Sequence, residues 1–147
     1  MTTALTVRIR RLRPDVPLPR YESAGAAAFD LAAAADAVVP PGGVRLVPTG
    51  LVVEVPPGMF LGIFARSSTP LKRGLMVANG VGIVDPDYRG PADEVKIAVL
   101  NFTGREVIVR QGDRIAQGIL LAAPRVTWEE GGDWRPDSRG GFGATGQ

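Results

Sequence analysis

Apolar residues in this chain cluster in short runs, and glycine or proline cuts each run before a helical period can develop. The β-type runs are Thr6–Leu12, Val44–Val55, Met59–Phe64, Gly82–Val84, Val95–Phe102, Glu106–Val109 and Ile115–Leu121. Many short strands between turn signals predict an all-β sandwich, barrel or jelly roll. The stretch Ala26–Ala37 is different: its alanines favour helix, yet it holds Phe29-Asp30-Leu31 and runs into Val38-Val39-Pro40-Pro41. A strand is expected there, with tertiary pairing overriding propensity. One short helix is expected from Pro70 toward Arg73, because the preceding Ser67-Ser68-Thr69 can cap it and an early proline suits a first turn. The 147 residues suit one domain.

Composition removes whole classes of chemistry. There is no cysteine, so disulfides, thiolate metal sites and cysteine nucleophiles are excluded, and no histidine, so Ser-His triads and imidazole ligands are excluded. Acid–base work falls to Asp, Glu, Lys, Tyr or Arg, and a metal would be hard and oxygen-bound, magnesium first. A net charge of +2 gives no reason to expect stable nucleic-acid binding. No apolar run reaches the roughly 18 residues of a membrane helix, so a soluble, cytoplasmic protein is expected.

Four segments carry candidate chemistry. Asn79–Gly90 places Asp85, Tyr88 and Arg89 directly after an Asn-Gly hairpin signal and an apolar strand. Asp85 would emerge from a strand end; taken alone, the segment reads first as a turn rich in Asp and Pro. Arg66-Ser67-Ser68 precedes the helix, where free N–H groups and hydroxyls suit phosphate, or it is a surface cap. Gly112–Gln117 reads as a tight turn with an exposed ion pair or as part of a site. The glycine-rich end, Ser138–Gln147, cannot build a core; it is a disordered end or a lid that folds over a charged ligand.

Taken together and in order, these clusters resemble the trimeric dUTP pyrophosphatase (dUTPase) family. Ala24–Leu31, Arg66–Gly74, Asn79–Gly90, Gly112–Gln117 and Arg139–Gly146 look like its five motifs, spread over nearly the whole chain. The resemblance implies a distorted jelly-roll, β-clip-like subunit with one short helix, assembled as a homotrimer with shared active sites. It implies a β domain over 1–137 and a flexible lid over 138–147. The implied reaction is hydrolysis of dUTP to dUMP and pyrophosphate. Asp85 would activate the attacking water, and Arg66, Ser67 and Gln117 would contact the phosphates as the rest of the catalytic set. Ser68, Asn79, Gly80, Val84, Tyr88, Arg139, Phe142 and Gly143 would bind substrate. Mg2+ would clamp the triphosphate, with Asp30 reaching it through water.

This chain departs from the family pattern at several points. Ala28 stands where glycine is usual, Pro91-Ala92-Asp93 looks inserted, and Ala144 replaces a common serine. The last motif is shortened around Arg139. Two other readings share some of these features. The related dCTP deaminases need a glutamate on the strand after the hairpin, and Lys96–Asn101 has none. A non-catalytic nucleotide-binding module would bind without turnover.

Overall fold

The computed structural model describes residues 4–134 and 137–146; positions 1–3, 135–136 and 147, which the expected domain and tail boundaries include, lie outside the described residues. Among the described residues the chain forms strands β1 (Arg8–Arg11), β2 (Phe29–Ala32), β3 (Ala37–Val39), β4 (Val44–Pro48), β5 (Leu51–Glu54) and β6 (Met59–Ala65). A single helix, α1 (Ser68–Arg73), precedes β7 (Leu75–Val77), β8 (Gly82–Val84), β9 (Lys96–Asn101), β10 (Val107–Val109) and β11 (Arg114–Ala122). All pairings are antiparallel. They build a four-stranded sheet in the order β2-β11-β6-β8, a three-stranded sheet β4-β9-β7, and the pairs β1-β5 and β10-β3. The fold is all-β and jelly-roll-like, as expected. No helix among the described residues is long and apolar enough to cross a membrane.

The structure corrects the expected elements in several places. Val44–Val55 is two strands, because Thr49-Gly50 breaks the run and sends β4 and β5 to different partners. Gly50 has φ +68°, and a Cβ there would meet Val16 Cγ2 at 2.5 Å, so both the backbone and the space require glycine. The strand in the alanine tract covers only Phe29–Ala32. Ala33 then leaves the ladder to bond the Asp113 carbonyl at 2.8 Å, and a second strand starts at Ala37. Leu75–Val77, too short to stand out in the sequence, is a strand through its pairing with β9. The helix starts at Ser68, two residues before Pro70. Pro70 is still in the first turn, where a missing N–H costs nothing.

The Asn-Gly signal marks a turn but not a hairpin. Gly80 N–H donates to the Val77 carbonyl at 3.0 Å, which closes the turn. The flanking strands then separate, β7 to β9 and β8 to β6. The turn therefore joins two sheets, and Asn79 and Gly80 stand exposed on it.

The core lies between the inner faces of the sheets, with Leu31, Val39, Leu61, Leu75, Ile97 and Ile115 fully buried. Three polar side chains are buried with them, Thr49, Thr69 and Asn101. Asn101 is 0% exposed; its amide donates to the Val39 carbonyl at 2.9 Å and the Arg105 carbonyl at 2.6 Å. Its carbonyl accepts from the Thr103 N–H at 2.9 Å and the Thr103 hydroxyl at 2.7 Å. Asn101 thus fixes the β9–β10 loop from inside. Asn101→Leu keeps the volume but strands these partners, and each buried orphan costs about 1–3 kcal/mol. Chemical denaturation should show a loss of at least about 2 kcal/mol; a smaller loss would mean that water replaces the amide.

Candidate functional site

The long strand β11 organises one end of the site. Its register sets Gln117 opposite Asp30 of β2 and Phe64 of β6, so the three side chains share a sheet face. Gln117 Nε2 donates to the Ala65 carbonyl at 3.0 Å, which holds the amide against the end of β6. Between Arg114 and Ala116 the register against β2 shifts by one, a β-bulge. Arg114 and Ala116 would otherwise share a face; with the bulge Arg114 stands opposite Ala32 and so joins the face of Asp30.

Asp30 is the electrostatic centre of this end, its side chain only 12% exposed. Arg66 Nε lies 3.2 Å from Oδ1, and Arg114 Nη1 lies 3.2 Å from Oδ2. Arg114 Nη1 is also 3.1 Å from Glu22 Oε2, while Arg66 Nη1 donates to the Arg114 carbonyl at 2.8 Å. The Arg114 contact to Asp30 is a charge pair without hydrogen-bond alignment, so the buried Oδ2 accepts no hydrogen bond.

The segment after β6 is anchored by Thr69, which is 1% exposed. The Arg66 N–H donates to Thr69 Oγ1 at 3.0 Å, and the Thr69 hydroxyl donates to the Ile115 carbonyl, in the bulge, at 2.8 Å. Thr69, not Ser67, closes this turn. Ser67 makes no side-chain cap bond and is exposed beside Arg66, and Ser68 is the first helical residue. Of the expected Ser67-Ser68-Thr69 cap only the threonine is engaged, and among the described residues the Ser67 hydroxyl has no hydrogen-bond partner.

Asp85 follows β8 and, by strand alternation, joins the same face of the four-stranded sheet through Ile83, which stands opposite Gly62. It lines an open groove of about 730 Å³ with Met59, Phe60, Ile83, Asp87 and Arg125. Among the described residues no hydrogen bond or ion pair engages its carboxylate. Val84 pairs with Leu61, so Asp85 lies level with Phe60, and Arg66 is six residues further along. At ~3.3 Å per residue that is about 20 Å. One chain therefore gathers Asp30, Arg66, Ser67, Ser68 and Gln117 at one end of the face and leaves Asp85 at the other.

The turn after Asp85 is well tied. Tyr88 N–H donates to the Asp85 carbonyl at 3.1 Å, and the Tyr88 hydroxyl donates to the Glu94 carbonyl at 3.0 Å, leaving the ring 41% exposed. Glu94 Oε1 accepts from Gly50 N–H at 2.8 Å, and Arg89 pairs with Glu54 at 2.9 Å. Asp93, in the inserted tripeptide, accepts from Gly90 N–H at 2.7 Å and so closes the turn. Val84 is buried, so its side chain is not open to a ligand. In the tail, Arg139, Phe142 and Gly143 are exposed, and the hydrogen bonds among the described residues there are local. Phe142, at φ +52°, is the one described non-glycine residue with positive φ. The structure does not bring these three to either end of the sheet face.

A sequence model of the dUTPase family matches residues 15–146. The chain belongs to the dUTPase family. It is 42% identical over 154 residues to the deoxyuridine 5'-triphosphate nucleotidohydrolase of Methylocella silvestris, covering 99% of this chain and 94% of that one. The enzyme of the same name from Wolinella succinogenes is 39% identical over 145 residues, covering 97% and 95%. The crystal structure of the dUTPase from Streptococcus mutans is 32% identical, with a TM-score of 0.74 over 82% of this chain and 98% of that one. The dUTPase of Staphylococcus bacteriophage 80alpha with dUpNHpp reaches a TM-score of 0.85 over 97% and 99%, at 20% identity, and speaks for the fold.

Three groups that frame this dUTPase-family site escaped the sequence reading. Arg114 lay inside a recognised motif, but its partner Asp30 is visible only through the bulge. Thr69 looked like one more cap residue. Arg73 pairs with Asp113 at 2.8 Å, tying α1 to the turn before β11. At Asp113 burial pushes the carboxyl up, but the Arg73 hydrogen bond and the Arg110 N–H outweigh it and hold it below the usual aspartate range. A depressed carboxylate stabilises the fold above the unfolded value and loses that contribution as pH falls through the folded one. Asp113→Asn should therefore lower the melting temperature at pH 7 by about 1–4 °C. The gap to the parent should close as pH drops below about 4; a gap that persists in acid would assign the effect to packing.

Proposed function

We propose that this dUTPase-family chain hydrolyses dUTP to dUMP and pyrophosphate, which keeps uracil out of DNA and supplies dUMP for thymidylate synthesis. One observation carries the reading: an Asp85 carboxylate that has no hydrogen-bond or ion-pair partner among the described residues shares a sheet face with the Arg66–Asp30–Gln117 cluster. In that arrangement Asp85 takes a proton from a water that attacks the α-phosphorus in line. The new P–O bond forms as the α–β bridge bond breaks, and pyrophosphate leaves. Arg66, the Ser67 and Ser68 hydroxyls and the Gln117 amide offset the charge that gathers on the phosphates. Positioning and electrostatics supply most of the rate.

The ~20 Å between the two halves supports a homotrimer in which Asp85 of one copy meets the phosphate residues of another. The turn from Asn79 through Gly80 to the Val84 backbone offers donors and acceptors for uracil. Tyr88, held by Glu94, presents its ring to the deoxyribose and leaves no room for a 2′-hydroxyl. Among the described residues no cluster of three or more acidic groups could hold a metal by itself. A single buried carboxylate oxygen without a hydrogen bond does fit a magnesium ion that arrives on the triphosphate, with Asp30 reaching it through water. When bound, Mg2+ would neutralise phosphate charge. A cytoplasmic enzyme without stable nucleic-acid or membrane partners completes the reading.

Pyrophosphate release across a panel of nucleoside triphosphates tests the substrate, dUTP being the one turned over fastest. Asp85→Asn keeps size but removes the base. Turnover should fall by about two orders of magnitude or more while nucleotide affinity largely survives; near-normal turnover would reassign the base.

Residues 138–147 are read as a lid separate from the β domain. Free glycines make the open state entropically favourable, so closure must be driven by ligand contacts: Arg139 on phosphate, Phe142 over uracil and the Gly143 backbone near the triphosphate. Truncation after Asp137 should leave the melting temperature and the trimer unchanged and cut turnover by at least about tenfold. A truncated protein as active as the full chain would make the tail a bystander.

A further inference from the structure

We propose that Arg114 is a positioning residue: it takes charge of Asp30 when Arg66 turns to the triphosphate, and Glu22 holds it in place to do so. The proposal rests on the dUTP-hydrolysing reading of the site and adds to it how the phosphate-binding arginine is set free.

Without nucleotide, Arg66 is a committed group. Its Nε is paired with Asp30 at 3.2 Å and its Nη1 donates to the Arg114 carbonyl at 2.8 Å, so only part of the guanidinium fork is open to phosphate. A triphosphate that recruits Arg66 fully must compete with Asp30. That carboxylate is 12% exposed, and a carboxylate left buried without a cation is costly. Arg114 is the second cation within reach, 3.2 Å from the other oxygen. Neither its contact nor that of Arg66 is aligned as a hydrogen bond, and the buried Oδ2 accepts none, so Arg114 has a tighter pairing still to make. Release of Arg66 and tightening of Arg114 are then two halves of one exchange across the same carboxylate.

Two features keep Arg114 in position. The bulge in β11 places it on the Asp30 face, and the Thr69 hydroxyl fixes the bulge through the Ile115 carbonyl at 2.8 Å. Glu22 pairs with Arg114 at 3.1 Å from the far side. Glu22, Asp30 and Arg114 line one polar cavity of about 340 Å³ together with Arg20 and Thr49. Arg20 lies 4.0 Å from the other Glu22 oxygen, so three arginines share two carboxylates here and Asp30 keeps a cation beside it when Arg66 turns away. Arg114 uses one nitrogen, Nη1, for both of its ion pairs, so the role needs a point charge and not a planar fork.

If Arg114 acts through Asp30, its loss must matter only while Asp30 is charged. The test measures calorimetric binding of the imido analogue dUpNHpp to the full chain, without divalent cation, in a double-mutant cycle. Arg114→Ala should weaken binding about tenfold, because Asp30 then retains Arg66. Arg114→Lys should stay within about threefold of the parent. In an Asp30→Asn background, Arg114→Ala should cause no further loss. An equal loss in both backgrounds would mean that Arg114 contacts phosphate directly or supports the fold, and would overturn the proposal. So would unchanged binding in Arg114→Ala alone. Should that variant fail to assemble, Arg114→Met keeps the stem and serves the same comparison. A parent protein that neither binds the analogue nor releases pyrophosphate from dUTP would overturn the functional reading itself; a parent that does both, with a background-independent Arg114 effect, sinks the handover alone.

Discussion

The register of β11 between β2 and β6 is the constraint on which the site depends. Side chains alternate faces along a strand, so a slip of one residue would send Gln117 into the core and expose Ala116 and Gly118 in its place. The slip is prevented by what the inner face holds: Leu31, Leu61 and Ala116 are buried there, and moving them to solvent would forfeit the apolar burial that stabilises the sheet. The face that carries the candidate site is thus specified by its reverse side. The bulge at Arg114 is the one local exception, and Thr69 holds it from the core.

That coupling explains which parts could be read in the sequence. Met59–Phe64, Gly82–Val84 and Ile115–Leu121 stand out because their apolar runs are bounded by turn residues, and β6, β8 and β11 form on them. The splitting of Val44–Val55 did not, since nothing local distinguishes a glycine that packs under Val16 from one in an ordinary strand. Leu75–Val77 is a strand only because β9 is beside it. Asn79-Gly80 carried a true turn signal and a false hairpin, because the choice of partner strand is made by the rest of the fold.

The candidate site divides in the same way. The residue types were legible: no histidine or cysteine leaves carboxylates, arginines, hydroxyls and an amide to do the work. Asp30, Arg66 and Gln117 do meet, though the sequence separates them by dozens of positions. The Glu22–Arg114–Asp30–Arg66 chain of charges was not legible, because it needs both the bulge and the β2–β11 pairing before its members can touch. Charged clusters read from sequence spacing alone miss such groups whenever a strand changes phase.

The separation along the face also sets what the remainder of the chain must do. A rigid sheet cannot fold its two ends together, since bending it would break the ladders that hold Gln117 and Asp85 in aim. Completing the site from a second copy, as proposed, would avoid that cost, and it would leave the tail as a segment able to reach a site it does not adjoin. Twenty residues separate Ala122, where β11 ends, from Phe142. At ~3.5 Å per residue, that length can extend up to about 70 Å, enough to cross a neighbouring subunit of this size. In the proposed enzyme, rigid strands would aim the groups that need fixed geometry, and a long glycine-ended segment would supply the contacts that need only be present when substrate is.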